Sequence, residues 1–318
     1  MGFARISGTG SYLPPTVLTN EEIASRIDTT DEWILQRVGI KERRVIADNQ
    51  SLVDMMEIAS LAAMKSAGIE ASDIDLIIVG TVTADHVFPS AACLLQRALG
   101  VNNQSPAFDL NAACAGFIYA LNVADNFLQT DEVKTALVVG ADAFSRIVNW
   151  EDRSTCVLFG DGAGAVVLQS SDQPGVLATQ LHAQGEHADL LYVENSVWDD
   201  FTPKYVHMRG KEVFRYATEK LGDLVGQLLA KCNLEQSDID WLIPHQANKR
   251  IIAAVARKLN LSEEKIIQTI EHHGNTSSAS VPLALDHAVK GGLIQRGDVL
   301  MLEAFGGGFA WGAALVKY

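Results

Sequence analysis

The chain has 318 residues, room for one large domain or two ordinary ones at roughly 150 residues each. Hydrophobic residues make up 48% and charged residues 20%, which excludes intrinsic disorder, and 25 glycines with 8 prolines exclude collagen-like and proline-rich classes. The 25 basic and 39 acidic residues give a formal charge of −14, which argues against nucleic acid as a partner and leaves any acidic partner to a local basic patch.

The opening MGFARISGTGSYLP lacks the charged-then-apolar pattern of a secretion signal, and Ile6 breaks the myristoylation pattern. No apolar run approaches the ~18 residues of a membrane span. Cys93, Cys114, Cys156 and Cys232 are scattered, so no metal site is expected and a reducing, cytoplasmic setting follows. In TTDEWILQRVG, Trp33 and Arg37 stand four apart and share a helix face. Such a pair can grip an adenine by stacking and cation–π attraction; a surface packing pair has the same spacing. Residues 51–67 show helical spacing, and IEASDIDLII (69–78) reads as a polar stop leading into a buried strand.

Next comes AFDLNAACAGFIYAL. The spacing of Phe117, Ile118, Leu121, Ala124 and Leu128 predicts a helix over 114–128. Cys114 falls at or just inside its N-terminus, where free N–H groups and the dipole favour a thiolate. Ala112, Ala113, Ala115 and Gly116 leave room for an acyl group, although a buried, inert cysteine fits the same residues. LVVGA (137–141) reads as a strand. GDGAGA (160–165) runs into AVVL rather than a helix, which argues against a dinucleotide fingerprint. Residues 182–210 are polar and acidic and read as an insertion or cap.

After a predicted helix over 211–231 the chain repeats itself. LEQSDIDWLI (234–243) matches IEASDIDLII at an offset of 165. His245 follows that strand at the position of Gly80, a good place for a site in an α/β protein, or for a structural histidine. Residues 247–259 predict an amphipathic helix with Ile251, Ile252 and Val255 inward, and with Arg250 and Arg257 aligned between Lys249 and Lys258. NTSSASVPLAL (275–285) matches NAACAGFIYAL at an offset of 164, which maps Asn275 onto Asn111; alone, Asn275 reads as a helix cap. A helix is predicted over 280–290. LMLEA (300–304) matches LVVGA at an offset of 163, and Gly306, Gly307 and Gly308 after it let a backbone approach a ligand closely. Three matches in one order predict a duplicated α/β architecture about a pseudo-twofold axis.

Taken together, GTGSYLP, DEWILQRVGIKERR, FPSAAC, AACAGFIYAL, FGDGAGAVVL, PHQAN, HGNTSSASVP and EAFGGGFAWG resemble the β-ketoacyl-[acyl-carrier-protein] synthase III family of thiolase-fold condensing enzymes, over essentially the whole chain. The resemblance implies a five-layered α-β-α-β-α fold with pseudo-twofold symmetry. Its halves would be 1–172, carrying the nucleophilic cysteine, and 173–318, carrying His and Asn. It implies a catalytic triad of Cys114, His245 and Asn275, and an oxyanion hole from the Cys114 and Gly307 backbone. Coenzyme A would be held by Thr29, Trp33, Arg37, Arg153, Gly210 and Asn248. Phe88, reaching across a homodimer, and Ile118 would shape the acyl pocket, while Arg215, Lys249, Arg250 and Arg257 would receive acyl-carrier protein. No cofactor is implied, since coenzyme A thioester is a substrate, and no membrane. The implied activity is acyltransfer followed by decarboxylative Claisen condensation, starting fatty acid synthesis. A thiolase would carry a second cysteine in the last glycine loop, and an elongating ketosynthase a second histidine; neither is present. A Cys-His-Asn ketosynthase of secondary metabolism, an enzyme for branched or longer primers, and a non-catalytic acyl-CoA binder stay open.

Overall fold

The computed structural model describes residues 2–130, 132–195, 197 and 202–318. β1 (Phe3–Tyr12) leads into a hairpin of β2 (Thr16–Thr19) and β3 (Glu42–Val45), with α1 (Asn20–Ala24) and α2 (Asp31–Val38) between its strands. Then follow α3 (Leu52–Ala67), β4 (Leu76–Gly80), α4 (Ala91–Ala98), β5 (Ala107–Leu110), α5 (Gly116–Leu128), β6 (Thr135–Ala143) and β7 (Asp161–Ser171). The second half opens with β8 (Val176–Ala183) and a short ribbon of β9 (Leu191–Tyr192) and β10 (His207–Met208). It continues with α6 (Gly210–Lys231), β11 (Trp241–Pro244), α7 (Lys249–Lys258), α8 (Ile270–His273), α9 (Ser280–Lys290), β12 (Val299–Gly306) and β13 (Ala310–Lys317). No described helix is long and apolar enough to cross a membrane.

The first sheet has the order β5-β4-β6-β7-β1 and the second β11-β12-β13-β8. A single parallel bridge from Leu242 to Ile266, with the Ile267 N–H donating to Leu242 O at 2.9 Å, stands where β5 stands in the first half. With that bridge the two sheets share one strand order. In each, parallel pairing at the centre gives way to antiparallel pairing toward β1 or β8.

Strand alternation divides the core into layers, because successive side chains point to opposite faces. Ile77 and Val79 of β4 pack under α3 and α4. Leu76 and Ile78 face the other way, onto α5 and α9, which also receive Leu300 and Leu302 from the second sheet. Met301 and Phe305 point outward beneath α6 and α7. The order is therefore α-β-α-β-α. The middle helices press hard on the sheets: a Cβ on Gly80 would lie 2.5 Å from the carbonyl carbon of Gly116, so only glycine fits.

The duplication reaches single hydrogen bonds. Asp73 caps Glu70 N at 2.9 Å and Asp238 caps Glu235 N at 2.8 Å, each opening the 3-10 turn of an SDID repeat. Asp75 Oδ2 accepts from Thr135 N at 3.0 Å, and Asp240 Oδ2 from Val299 N at 2.8 Å, so the second aspartate of each repeat registers one strand pair.

The hairpin bearing α2 is tied to the core by Arg43, whose side chain is fully buried. Its guanidinium donates to Val157 O at 2.7 Å, Asn20 Oδ1 at 2.8 Å and Leu18 O at 3.2 Å. Burial lowers its pKa to about 10, which still leaves it charged at neutral pH. Arg43→Ala strands these acceptors in a dry interior, and a loss of about 3 kcal/mol or more is expected by urea denaturation. A loss under ~1 kcal/mol would mean that the carbonyls find other donors.

Candidate active site

Cys114 sits in a 3-10 turn, Ala113–Ala115, between β5 and α5. His245 follows β11, and Asn275 lies between α8 and α9. The three line one cavity of about 620 Å³. The repeat explains how the chain brings them together. Asn111 Oδ1 accepts from Ala113 N at 3.3 Å and Asn275 Oδ1 from Ser277 N at 2.9 Å, and both Ala113 (φ 46°) and Ser277 (φ 52°) take left-handed backbone before a helix begins. Two copies of one turn thus meet near the pseudo-twofold axis. The Ser277 hydroxyl lies 3.3 Å from Cys114 Sγ. A Cβ on Gly306 would stand 2.6 Å from Cys114 N, so glycine there lets β12 pass the sulfur's own backbone.

The site is dry, and burial sets its charges. It pushes the Cys114 thiol up to about 12, against partial relief from the Ser277 hydroxyl. Burial thus works against the thiolate that a helix start favours. Burial likewise lowers His245 to about 3, so its ring is neutral. His245 Nδ1 is 2.6 Å from Ser280 Oγ, which also accepts from Gln246 N at 3.4 Å. When Ser280 donates to Nδ1, the ring hydrogen sits on Nε2. The Asn275 main chain bonds Leu158 O and Gly160 N, and its Oδ1 is taken up by Ser277 N, leaving Nδ2 as its donor.

The walls of the cavity are apolar, with Phe159, Leu191, Met208 and Phe305 among them. Leu191 and Met208 come from the little-repeated 182–210 segment, of which Ser196 and residues 198–201 lie outside the described residues. At the mouth, the Trp33 ring stands beside two guanidiniums, Arg153 at 5.1 Å and Arg37 at 5.9 Å. Asn248 caps α7 and donates to Arg37 O at 3.4 Å, so α2 and α7 share the rim. Gly210 lines it as well, and Arg250 does so over the Phe214 ring at 5.4 Å.

Other residues singled out in the sequence lie elsewhere. Ile118 does not line this cavity; it is fully buried in the middle layer against Gly312. Thr29 stands two residues before α2, with a buried hydroxyl that has no partner. Gly307 lines a neighbouring depression with Asn111 and Ala112. Phe88 is 85% exposed on the loop before α4. Arg215, Lys249 and Arg257 are exposed on α6 and α7, whereas Lys258 pairs with Asp223 at 2.7 Å. Ser277 and Ser280 carry no local signal in the sequence beyond the repeat, which pairs Ser277 with Ala113. Among the described residues no group of three His, Cys, Asp or Glu side chains is placed to hold a metal.

A thiol can take up an acyl group, and two neutral donors beside it can hold the oxygen of a thioester enolate. Thioester chemistry on a duplicated five-layered frame marks the class of thiolase-fold condensing enzymes. The family model described as 3-oxoacyl-[acyl-carrier-protein (ACP)] synthase III matches residues 108–185, and its C-terminal counterpart matches 229–318. A β-ketoacyl-[acyl-carrier-protein] synthase III from Coxiella burnetii (strain RSA 493) is 54% identical over 318 residues, all of both chains. The crystal structure of 3-oxoacyl-[acyl-carrier-protein] synthase III from Aquifex aeolicus VF5 superimposes with a TM-score of 0.95 at 45% identity, covering 99% of this chain and 100% of that one. The priming β-ketosynthase of the R1128 polyketide pathway also has a TM-score of 0.95, at 35% identity, covering 99% and 96%. The chain belongs to the β-ketoacyl-[acyl-carrier-protein] synthase III family. It is an acyltransferase, an initiating condensing enzyme of fatty acid synthesis.

Glu303 of β12 carries a separate consequence. Its backbone O accepts from His245 N at 2.8 Å, yet neither carboxyl oxygen has a partner, and burial raises its pKa to about 8. The unfolded chain releases this proton near pH 4.5 and the folded chain near 8, so folding stability falls as pH rises through that window. Glu303→Gln removes this dependence. Its melting temperature should gain on the native protein between pH 5 and pH 8, and a pH-independent difference would refute the buried neutral acid.

Proposed function

We propose that the protein condenses a short acyl-CoA, acetyl-CoA foremost, with malonyl-[acyl-carrier protein] in the cytoplasm. The products are 3-oxoacyl-[acyl-carrier protein], CoA and carbon dioxide. The halves 1–172 and 173–318 divide the work: the first supplies the nucleophile and the second the decarboxylation donors. Cys114 attacks the thioester, the Cys114 and Gly307 N–H groups hold the tetrahedral oxyanion, and CoA leaves. Malonyl-carrier protein then enters the same channel and loses its carboxylate. His245 Nε2–H and Asn275 Nδ2–H hold the enolate oxygen while its carbon attacks the acyl-cysteine. No cofactor takes part.

The reading rests on one observation: thiol, imidazole and carboxamide share the closed end of a channel whose open end carries Trp33 between Arg37 and Arg153. In use, the adenine replaces a guanidinium on the Trp33 ring, and Asn248, Gly210 and Thr29 follow the pantetheine and phosphates. Lys249, Arg250, Arg257 and Arg215 form the basic face for the acidic carrier. A homodimer pairs the open edge of β5, with Phe88 of each protomer closing the acyl pocket of the other. A priming enzyme of secondary metabolism is the second reading, favoured by the likeness to the R1128 enzyme. Competition among acetyl-, isobutyryl- and octanoyl-CoA separates the two by primer.

Acetyl-CoA should add one acetyl mass to the intact protein and none to Cys114→Ser; an adduct of equal yield on the variant would remove the nucleophile assignment. Asn275→Ala should still acetylate but lose malonyl decarboxylation by on the order of 10²–10³-fold. Equal loss of both half-reactions would mean that Asn275 only supports the fold.

A further inference from the structure

Asn275 can hold an enolate oxygen only if its turn, in the second half, sits in register with Cys114, in the first. The start of that turn is fixed by its main chain: Asn275 N donates to Leu158 O at 2.9 Å, and Asn275 O accepts from Gly160 N at 3.0 Å. Of the three hydroxyls that follow, Ser277 donates to the Cys114 sulfur at 3.3 Å, and those of Thr276 and Ser278 are buried without a partner. The far end of the turn is instead held by its backbone. Ser278 N donates to Asp142 Oδ2 at 3.2 Å, across 136 residues of chain.

Asp142 stands next to last on β6 and is fully buried. Its Oδ1 accepts from Val82 N at 2.9 Å, Thr83 Oγ1 at 2.8 Å and Thr81 Oγ1 at 3.1 Å. Thr83 Oγ1 in turn accepts from Ala143 N at 2.8 Å, which ties the loop back onto β6. One carboxyl group thus joins β6, the loop after β4 and the Asn275 turn. Two residues earlier on the strand, Gly140 leaves room for the Ser278 carbonyl to lie against β6. Burial raises the pKa of Asp142, and in either protonation state each oxygen keeps a lone pair for a backbone N–H. Asp142 does not line the cavity, so it reaches the reaction only through what it holds.

We propose that Asp142 is a positioning residue for decarboxylation: it holds Ser278 N on one oxygen and the 81–83 loop on the other, and so sets Asn275 against Cys114. The role rests on the enolate-donor reading above. Asn275 Nδ2 acts through one hydrogen bond, whose strength falls steeply with distance and angle. A misplacement of about 1 Å in such a group costs on the order of 10²-fold in rate. Cys114 lies on the other turn, where Asn111 Oδ1 accepts from Ala113 N, so acyl transfer does not depend on the Asp142 link.

The test is Asp142→Asn, which keeps the shape of the side chain but puts an amide nitrogen, with no lone pair to offer, in place of one oxygen. Three donors meet Oδ1 and one meets Oδ2, so the amide oxygen should turn to the 81–83 loop and leave Ser278 N without an acceptor. Asp142→Ala removes both acceptors and covers the opposite rotamer; should it fail to fold, the isosteric variant still reads the effect. Two rates are followed: acetyl transfer from acetyl-CoA by intact mass, and carbon dioxide release from malonyl-[acyl-carrier protein]. Carbon dioxide release should fall on the order of 10–10²-fold, with the KM for malonyl-carrier protein unchanged and acetyl transfer nearly native. In an Asn275→Ala background, Asp142→Asn should have no further effect, because a residue that acts through Asn275 has nothing left to position. Losses that add in the double variant, an equal fall in both rates, or native carbon dioxide release in every variant that folds would overturn the assignment. A native protein that releases no carbon dioxide, or an Asn275→Ala variant that releases it at the native rate, would instead take down the enolate-donor reading and the Asp142 role with it.

Discussion

The constraint on which this molecule depends is the close approach of two turns at the centre of the middle layer. α5 and α9 begin there, and the sheets lie against their first residues with almost no space. A Cβ on Gly140 would meet Ser278 O at 2.3 Å, as one on Gly80 would meet Gly116. Interiors pack at crystal-like density, so a side chain at either glycine would push the turns apart. Because both turns are copies of one asparagine-capped design, meeting at the axis sets equivalent residues face to face. Duplication followed by divergence then supplies the chemistry. One copy presents the sulfur of Cys114 where the other has Ser278, and His245 replaces Gly80.

The same packing excludes water, and the dry floor decides which groups carry charge. Cys114, His245 and Glu303 are all driven to their neutral forms by burial. Neutral donors suit a site in which negative charge appears only during the reaction. In a low-dielectric pocket a fixed N–H acts more strongly on an oxyanion than it would in water, and it needs no reorganisation. The charge retained on Arg43 has many partners, Val157 O, Leu18 O and Asn20 Oδ1, while burial raises the Asp142 pKa against the N–H and hydroxyl donors around it.

The parts legible in the sequence are those written in local codes. The SDID segments give a 3-10 turn and a buried strand in either half, because an aspartate capping a backbone three residues away needs no tertiary information. The helices over 51–67, 211–231 and 280–290 follow from apolar periodicity, and Cys114, His245 and Asn275 from the repeat and the family motifs. What stayed hidden depends on contacts across the chain. Arg43, within KERRV, resembles any surface arginine, and nothing local says that Val157 O awaits it 114 residues on. Ile118 belongs to an apolar stripe whose neighbours the stripe does not name. The thiolate expectation weighed the helix terminus, and the desolvation that opposes it becomes visible only once the burial of Cys114 is known.

The rim shows how an acidic protein can address anionic ligands. A formal charge of −14 repels phosphates and an acidic carrier at long range, but beyond about 8 Å physiological salt screens it. Within that distance the local arrangement governs. α2 brings Trp33 and Arg37, the segment after β6 brings Arg153, and α7 brings Arg250, so three short stretches remote in sequence make one cationic and aromatic edge. Two of them are held by contacts described above. Arg43 anchors the hairpin that carries α2, and Asn248 joins α2 to the start of α7. Asn248 is three residues beyond His245, so whatever locates the rim of the second half also locates the imidazole at its floor. Ligand grip and catalytic geometry are therefore coupled through the backbone rather than assembled independently.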